Sequence, residues 1–348
     1  MFRVALSGDF RRADGAPAYP MFDLTPLTTT KGVEYAYVDA VDGVMQGADL
    51  ADFDALILLA ARFDARSLPP GGRLLAVARF GVGYDNVDVP VCTQAGVALV
   101  ITPDGVRRPV AVSVLTFILA LAGKLMVKDR LTRAGPSGWA KRSEHMGLGL
   151  TGRTLGQLGI GNIGAEVFRV AAPLGMGFIA HDPFVSAEQA RALGVELVDI
   201  ETLFRQSDFL SVSVPLSEAT RGIVGKRLIG LMKPTAYLIN TARGPIVDQK
   251  ALTEALEART IAGAGLDVFE VEPTPADERL LALDNVIVTP HALCWTDECF
   301  AGNGAADVAA VLALSGGSEP RGVVNRDVLS DPRFVARLTA LRQASGAR

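Results

Sequence analysis

The sequence has little cysteine, little histidine and no excess of positive charge. Its 348 residues include three cysteines and three histidines, and 34 Lys and Arg stand against 38 Asp and Glu, giving a net charge of −4. Cys92, Cys294 and Cys299 are too few and too scattered for a disulfide framework, and no histidine pairs with a cysteine at a zinc-ligand spacing. A chain without a basic surplus also lacks the electrostatic footprint of a nucleic-acid binder. We therefore expect no disulfide, no metal site and no nucleic-acid partner.

Long apolar stretches are scarce as well. The N-terminal segment meets charged residues early, unlike a secretory signal. The longest apolar run, 110–123, is shorter than the about 20 residues that span a membrane. With 49% hydrophobic and 21% charged residues, the chain can instead bury a large core. We predict a soluble, cytoplasmic protein of two domains, without a membrane partner.

Short apolar runs alternate with helix-length stretches along most of the chain. This alternation predicts the α/β class, with two Rossmann-like domains built on parallel sheets. The apolar run that starts at 110 follows Arg107-Arg108-Pro109, and Pro109 fits the first turn of a helix. The predicted strands are 33–38, 55–60, 74–80, 97–101, 155–159, 177–181, 209–214, 236–240, 264–269 and 286–289, and the predicted helices after residue 150 are 163–174, 187–193, 226–232, 250–258 and 297–315.

The strongest local motif is a GxGxxG sequence that follows a predicted strand and opens a helix, namely Gly159-Ile160-Gly161-Asn162-Ile163-Gly164. In a dinucleotide-binding fold, Gly159 would permit the tight turn, Gly161 the close approach of a pyrophosphate, and Gly164 close packing of helix on strand. Asp182 ends the next strand, close to the expected interval of about 20 residues. A carboxylate there accepts hydrogen bonds from ribose hydroxyls and repels a 2′-phosphate, which predicts NAD rather than NADP. The alternative is that Asp182 only caps the turn before Pro183.

Three polar residues follow the ends of successive predicted strands further along the chain: Arg243, Glu272 and His291. Ligands bind at the carboxyl ends of parallel strands in open α/β sheets. An arginine, a carboxylate and an imidazole that converge there are suited to proton and hydride chemistry. Taken singly, each has an ordinary alternative: a surface charge, a turn residue and a structural histidine.

With these segments, the chain resembles the D-isomer-specific 2-hydroxyacid dehydrogenase family, which includes phosphoglycerate dehydrogenase and hydroxypyruvate reductase. The likeness runs in family order from Gly81 to Trp295. The matching segments are 81–88 (GVGYDNVD), 152–156 (GRTLG), the GxGxxG, 240–244 (NTARG), 265–269 (GLDVF), 272–273 (EP) and 289–291 (TPH).

The resemblance implies an NAD-dependent enzyme that interconverts a D-2-hydroxy acid and its 2-keto acid. His291 would be the general acid and base, because an imidazole exchanges protons near neutrality. Glu272 would orient its ring, and Arg243 would hold the substrate carboxylate and polarise the C2 oxygen.

The resemblance also assigns residues that bind the substrate. The loop at Val82 and Gly83 would present backbone N–H groups to the substrate carboxylate. Arg62 or Arg79 could meet a second anionic group on the substrate, or either could lie at the surface.

For the cofactor, the resemblance implies that Asp267 lies on the nicotinamide side, with a turn cap as the alternative. Val214, Pro215, Thr241 and Ala242 would line the cofactor site. We predict a substrate domain of residues 1–104 plus 293–348, an NAD-binding Rossmann domain of residues 105–292, a cleft between them, and a homodimer. Two other functions stay open: an NADH-sensing, corepressor-like binding protein, and an NADP-linked glyoxylate or hydroxypyruvate reductase.

Overall fold

The structure is a computed structural model that describes residues 1–346, within which the chain forms twelve β-strands and twelve α-helices. The strands are β1 Phe2–Ser7, β2 Val33–Val38, β3 Ala55–Leu58, β4 Ala76–Arg79, β5 Ala98–Ile101, β6 Thr154–Leu158, β7 Gly177–His181, β8 Glu196–Leu197, β9 Phe209–Val212, β10 Tyr237–Asn240, β11 Gly263–Leu266 and β12 Val286–Val288. The helices are α1 Thr25–Thr29, α2 Val89–Ala95, α3 Pro103–Ala122, α4 Leu125–Arg133, α5 Pro136–Ala140, α6 Asn162–Ala171, α7 Ala187–Ala192, α8 Ile200–Gln206, α9 Lys226–Ile229, α10 Gln249–Glu257, α11 Asp297–Ser315 and α12 Pro332–Ala344.

The chain divides into two compact units. The first comprises Met1–Val106 and the stretch from Thr296 onward, and the second comprises Arg107–Trp295. The predicted boundaries at 104 and 293 lie within a few residues of these. Each unit is built on one parallel sheet, in the order β2-β1-β3-β4-β5 for the first and β12-β11-β10-β9-β6-β7-β8 for the second. Both are doubly wound orders, which confirms the predicted α/β class with two Rossmann-like sheets.

The sheet of the first unit is covered on both faces by apolar side chains. All four residues of β3 are buried, as expected of a strand with helices on either side. On one face, Val311 of α11 and Phe334 of α12 pack in the same cluster as Val4 of β1. No predicted strand covers β1, although this strand pairs with both β2 and β3. It is a short run next to a turn-rich segment, and only its pairing with these two strands distinguishes it as part of the sheet.

Helix α3 differs from its prediction. It begins at Pro103, so Pro109 lies inside the helix and not in its first turn. A proline there removes a backbone hydrogen bond and costs about 3 kcal/mol, which burial of the apolar face offsets. Phe117 and Ile118 lie in the core of the second unit, and a Cβ on Gly265 of β11 would lie 2.6 Å from the Phe117 ring. By length and composition alone α3 could also span a membrane, but 61% of its most apolar window is buried within the protein, as in an ordinary core helix.

Candidate active site

The predicted site residues of the second unit follow the carboxyl ends of six neighbouring strands. Because these strands are parallel, the segments that leave them lie along one edge of the sheet. β7 and β11 are separated by four strand spacings, which is about 19 Å along this edge. In sheet order the edge carries His291 after β12, Asp267 and Glu272 after β11, Thr241, Ala242 and Arg243 after β10, Val214 and Pro215 after β9, the GxGxxG after β6, and Asp182 after β7.

The GxGxxG turn needs its glycines for distinct reasons. Gly159 has φ +92°, and a Cβ there would lie 2.8 Å from Cγ1 of Val214. A Cβ on Gly164 would lie 2.3 Å from the carbonyl oxygen of Gly159, which confirms the predicted close packing at the start of α6. At Gly161 a Cβ would meet nothing within 4 Å. The turn is therefore packed at its first and last glycines and open at the middle one, and this shape fits a phosphate group at the start of a helix.

Asp182 is tied to the same turn. One of its carboxylate oxygens accepts the backbone N–H of Ile160 at 2.9 Å, and the other accepts that of Phe184 at 2.9 Å. Asp182 does cap its own turn, as the alternative reading proposed, and it also joins that turn to the GxGxxG. A carboxylate has about four lone-pair sites, so two hydrogen bonds leave capacity for ribose hydroxyls.

Glu272 and His291 meet, although 19 residues separate them in the sequence. The Nδ1 atom of His291 lies 2.7 Å from Oε2 of Glu272, and Oε1 of Glu272 accepts the backbone N–H of Phe269 at 2.9 Å. Burial alone would raise the pKa of Glu272. The hydrogen bonds from His291 and Phe269 outweigh burial, so the pKa of Glu272 lies below its usual value. Because Glu272 is then ionised, the proton between the two side chains belongs on Nδ1 of the imidazole.

The backbone at His291 is in the left-handed region, with φ +54°. A non-glycine residue there costs about 1–2 kcal/mol. Asp267 stabilises this turn, because its Oδ1 accepts the Thr289 hydroxyl at 2.6 Å and the backbone N–H groups of Ala292 and Leu293 at 3.0 and 3.2 Å. Asp267 is only 3% exposed, and its own N–H donates to the carbonyl of Asn240 on the neighbouring strand. Asp267 thus fixes the turn that carries the imidazole, as in the turn-cap alternative.

Arg243 lies in the turn after β10. The side chain of Asn240 shapes this turn by accepting the N–H of Ala242 and donating to the carbonyl of Arg243, both at 3.0 Å. Nη1 of Arg243 donates to the carbonyl of Ala242 at 2.6 Å. The charge of Arg243 also helps to lower the pKa of Glu272, after the larger effects of burial and hydrogen bonding. The arginine and the Glu272–His291 pair are therefore electrostatically coupled.

In the first unit, hydrogen bonds at Gly81 hold the start of the predicted substrate loop. Gly81 has φ +127°, and its N–H donates to the hydroxyl of Thr102 at 2.8 Å. That hydroxyl in turn donates to Oδ1 of Asn303 on α11, at 2.8 Å. The N–H of Gly81 is already hydrogen-bonded within the protein. Val82 and Gly83 are therefore the next residues along the loop whose N–H groups are candidates for binding a substrate carboxylate.

The two arginines considered for a second anionic group differ in placement. Arg62 is exposed. Arg79 is partly buried, and its Nη1 donates to the carbonyl of Phe80, at the start of the substrate loop.

Several residues of the site were missed in the sequence. Thr289 and Asn240 order the turns that carry His291 and Arg243, and Thr102 and Asn303 support the loop at Gly81. Asn240 had a usable signal, because an asparagine at the end of a strand often forms a side-chain turn. Asn303 had none, since it comes from a helix about 200 residues further along the chain.

The remaining candidate ligands and nucleophiles have ordinary surroundings. No two cysteines form a disulfide within residues 1–346, and burial raises the pKa of the Cys92 thiol to about 12. Nδ1 of His181 lies 3.0 Å from the carbonyl of Val198. Among residues 1–346, no three His, Cys, Asp or Glu side chains gather as metal ligands do.

A doubly wound sheet with this glycine turn, an acidic residue after the next strand and a Glu–His pair at the far end of the same edge defines a nicotinamide-dependent oxidoreductase. Residues 115–292 match the family described as D-isomer specific 2-hydroxyacid dehydrogenase, NAD binding domain. The chain belongs to this family, whose members oxidise or reduce 2-hydroxy and 2-keto acids with a nicotinamide cofactor.

Individual relatives agree with this assignment. A glyoxylate reductase from Korarchaeum cryptofilum is 40% identical over 283 residues, covering 80% of this chain and 84% of the relative. A D-3-phosphoglycerate dehydrogenase from Archaeoglobus fulgidus is 36% identical over 86% of this chain but only 56% of the relative, so the chain spans about half of that protein. The crystal structure of an NADPH-dependent glyoxylate/hydroxypyruvate reductase from Sinorhizobium meliloti, with NADP and malonate, superimposes with a TM-score of 0.79 at 28% identity, over 93% of this chain and 96% of that one.

Proposed function

We propose that the protein interconverts a D-2-hydroxy acid and its 2-keto acid with NAD as cofactor, and that His291 is the general acid and base. The observation that carries this proposal is the 2.7 Å contact between Nδ1 of His291 and the carboxylate of Glu272. That contact orients the ring and leaves Nε2 as the nitrogen that exchanges a proton with the substrate oxygen.

The chain's own residues supply the proton and the electrostatic stabilisation. When bound, the nicotinamide donates or accepts the hydride. In reduction, Nε2–H of a protonated His291 donates to the oxygen on C2 as negative charge develops there. In oxidation, neutral His291 accepts the hydroxyl proton at the same atom. The negative charge of Glu272 attracts the positive charge that the ring carries when it is protonated.

Arg243 is assigned to the substrate carboxylate and to polarisation of the C2 oxygen. A guanidinium stays charged at all relevant pH values and can hold a carboxylate through two parallel hydrogen bonds. In the first unit, the backbone N–H groups of Val82 and Gly83 are assigned to the substrate carboxylate as well. Arg62 is the more exposed of the two arginines considered for a second anionic group.

NAD is proposed over NADP because of Asp182. Its two backbone hydrogen bonds fix the carboxylate beside the GxGxxG, where negative charge opposes a 2′-phosphate. Asp267, Val214, Pro215, Thr241 and Ala242 are assigned to the cofactor site on the same sheet edge. The Sinorhizobium meliloti relative is described as NADPH-dependent, so NADP use is the competing possibility. Fluorescence titrations with NADH and NADPH separate the two, and NADH should bind more tightly.

Glyoxylate is the first substrate to test, because a relative that is 40% identical, and of which this chain covers 84%, is named a glyoxylate reductase. The assay is a panel of 2-keto acids with NADH, followed by nicotinamide absorbance, and it should include glyoxylate, pyruvate, hydroxypyruvate and phosphorylated analogues. The His291→Ala variant should lower kcat by about 10² or more while NADH still binds. NADH binding without turnover of any acid would instead support the NADH-sensing alternative.

We also propose a homodimer in the cytoplasm. Between residues 112 and 146 several large apolar side chains are exposed, which is typical of a surface that a second copy covers. They are Val112, Leu119, Leu125, Met126, Trp139 and Met146. Light scattering on the purified protein measures the mass directly, and a monomer at micromolar concentration would contradict the dimer.

A further inference from the structure

Three arginines surround one buried carboxylate on α6. Glu166 is 7% exposed, Nη1 of Arg108 lies 3.0 Å from it, and Nη1 of Arg169 lies 3.1 Å from it. Nε of Arg107 lies 4.0 Å from the same carboxylate. Burial would raise the pKa of Glu166, but the hydrogen bonds from Arg108 and Arg169 outweigh it and lower the pKa. One ionised carboxylate therefore faces three guanidinium groups.

Arg107 extends this positive charge to the GxGxxG turn. Its Nη1 donates to Oδ1 of Asn162, the first residue of α6, at 3.4 Å. Asn162 and Glu166 are four residues apart and hence one above the other on a helix. Because Arg107 reaches both, its guanidinium lies along the first turn of α6.

The surroundings of that first turn suit an anion. The turn contains no acidic residue, and Gly161 before it has open space where a side chain would be. By contrast, Arg169 lies seven residues after Asn162, about 10 Å further along the helix axis. Arg107 and Arg169 both approach Glu166, but only Arg107 lies at the end of α6 where the dinucleotide phosphates would bind.

We propose that Arg107 binds the pyrophosphate of the dinucleotide and that Glu166 positions its guanidinium for this contact. The two negative charges of a pyrophosphate complement the positive charge of this guanidinium at the first turn of α6. This inference rests on the proposed function for the presence of a dinucleotide, and it adds a residue outside the GxGxxG to the binding of that dinucleotide.

The test compares Arg107→Ala with the matched control Arg169→Ala, which removes an arginine from the same glutamate. Dissociation constants for NADH are measured by fluorescence titration at several salt concentrations. ADP-ribose, which keeps the pyrophosphate, and adenosine, which lacks it, are measured as competitors. Arg107→Ala should weaken NADH and ADP-ribose about tenfold, reduce the salt dependence of both, and leave adenosine unchanged. Arg169→Ala should bind all three as the wild-type protein does.

Three outcomes would overturn the inference. They are unchanged NADH binding by Arg107→Ala, an equal loss of adenosine binding that indicates a disordered turn, and an equal loss in Arg169→Ala. If the wild-type protein binds no NADH at all, the proposed function fails first, and this inference fails with it.

Discussion

Replacing Glu272 by glutamine isolates the effect of one negative charge on His291. The two residues differ little in size, so the backbone N–H of Phe269, which donates to Glu272 at 2.9 Å, can still be satisfied by the amide oxygen. The amide nitrogen then faces Nδ1 of His291, which lies 2.7 Å from the carboxylate in the wild-type protein. The ring loses its charged acceptor and can adopt the tautomer with hydrogen on Nε2. In that tautomer Nε2 cannot accept a proton from a hydroxy acid.

The size of the effect follows from distance and exposure. Coulomb's law with an effective dielectric constant of about 20 gives roughly 6 kcal/mol for unit charges 2.7 Å apart. The side chains of His291 and Glu272 are 40% and 37% exposed, so water screens most of this attraction. Measured values for exposed pairs suggest about 1 kcal/mol, which corresponds to roughly a fivefold change in rate.

The assay is kcat/KM for hydroxy-acid oxidation, in which neutral His291 accepts the hydroxyl proton. In Glu272→Gln the positive charge that forms on the ring lacks its negative neighbour, and the altered tautomer leaves Nε2 without a free lone pair. In this variant kcat/KM for oxidation should therefore fall by about fivefold or more. Glu270→Gln is the matched control, because it removes an exposed carboxylate from the same loop. A wild-type kcat/KM for oxidation in Glu272→Gln, or an equal loss in the control, would refute the reasoning.

Two further predictions concern single carboxylates elsewhere. In Asp182→Ala the charge that opposes a 2′-phosphate is gone, so the ratio of the NADPH to the NADH dissociation constant should decrease by about tenfold in fluorescence titrations. A wild-type protein that binds both cofactors equally would contradict this prediction. Asp307 on α11 is fully buried, neither of its oxygens has a hydrogen-bond partner among residues 1–346, and burial raises its pKa well above the usual value despite the nearby charge of Arg79. Because the folded state favours the protonated carboxyl, its stabilising contribution is complete below the pKa of the unfolded chain and is lost as pH rises. The unfolding free energy of the wild-type protein relative to Asp307→Asn should therefore fall above about pH 4, by at most about 1.4 kcal/mol per pH unit. Urea unfolding at several pH values measures this difference, and a difference that stays constant with pH would refute the prediction.

Much of the second unit could be predicted because its signals are local. The GxGxxG and its flanking strand identify β6 and α6 within 20 residues, and apolar runs between turn residues identify β7, β9, β10, β11 and β12. Fewer elements of the first unit could be predicted, since neither β1 nor α12 was recognised in the sequence. Their burial depends on contacts between opposite ends of the chain, as when Phe334 packs in the same cluster as Val4. Residues so far apart produce no pattern within any short window of sequence.

The same difference applies to the site. The residues proposed to contact the cofactor or the substrate could be predicted from the sequence, because they follow the ends of predicted strands. The residues that hold them in place could not be named, because a supporting contact depends on the geometry of a turn. Thr289 shows this clearly: as a sequence it is one more threonine after a strand, but its hydroxyl donates to Asp267 at 2.6 Å.

The turn at His291 shows why that support matters for function. A left-handed residue at φ +54° tends to relax unless its surroundings stabilise it. Asp267 provides three acceptor contacts to this turn, and its own backbone is bonded to the strand that precedes Arg243. The turns that carry the imidazole and the guanidinium are thereby both anchored to the neighbouring strands β10 and β11. A general acid, the role proposed for His291, must stay within hydrogen-bond reach of the oxygen it protonates, and the contacts of buried Asp267 fix the turn on which this geometry depends.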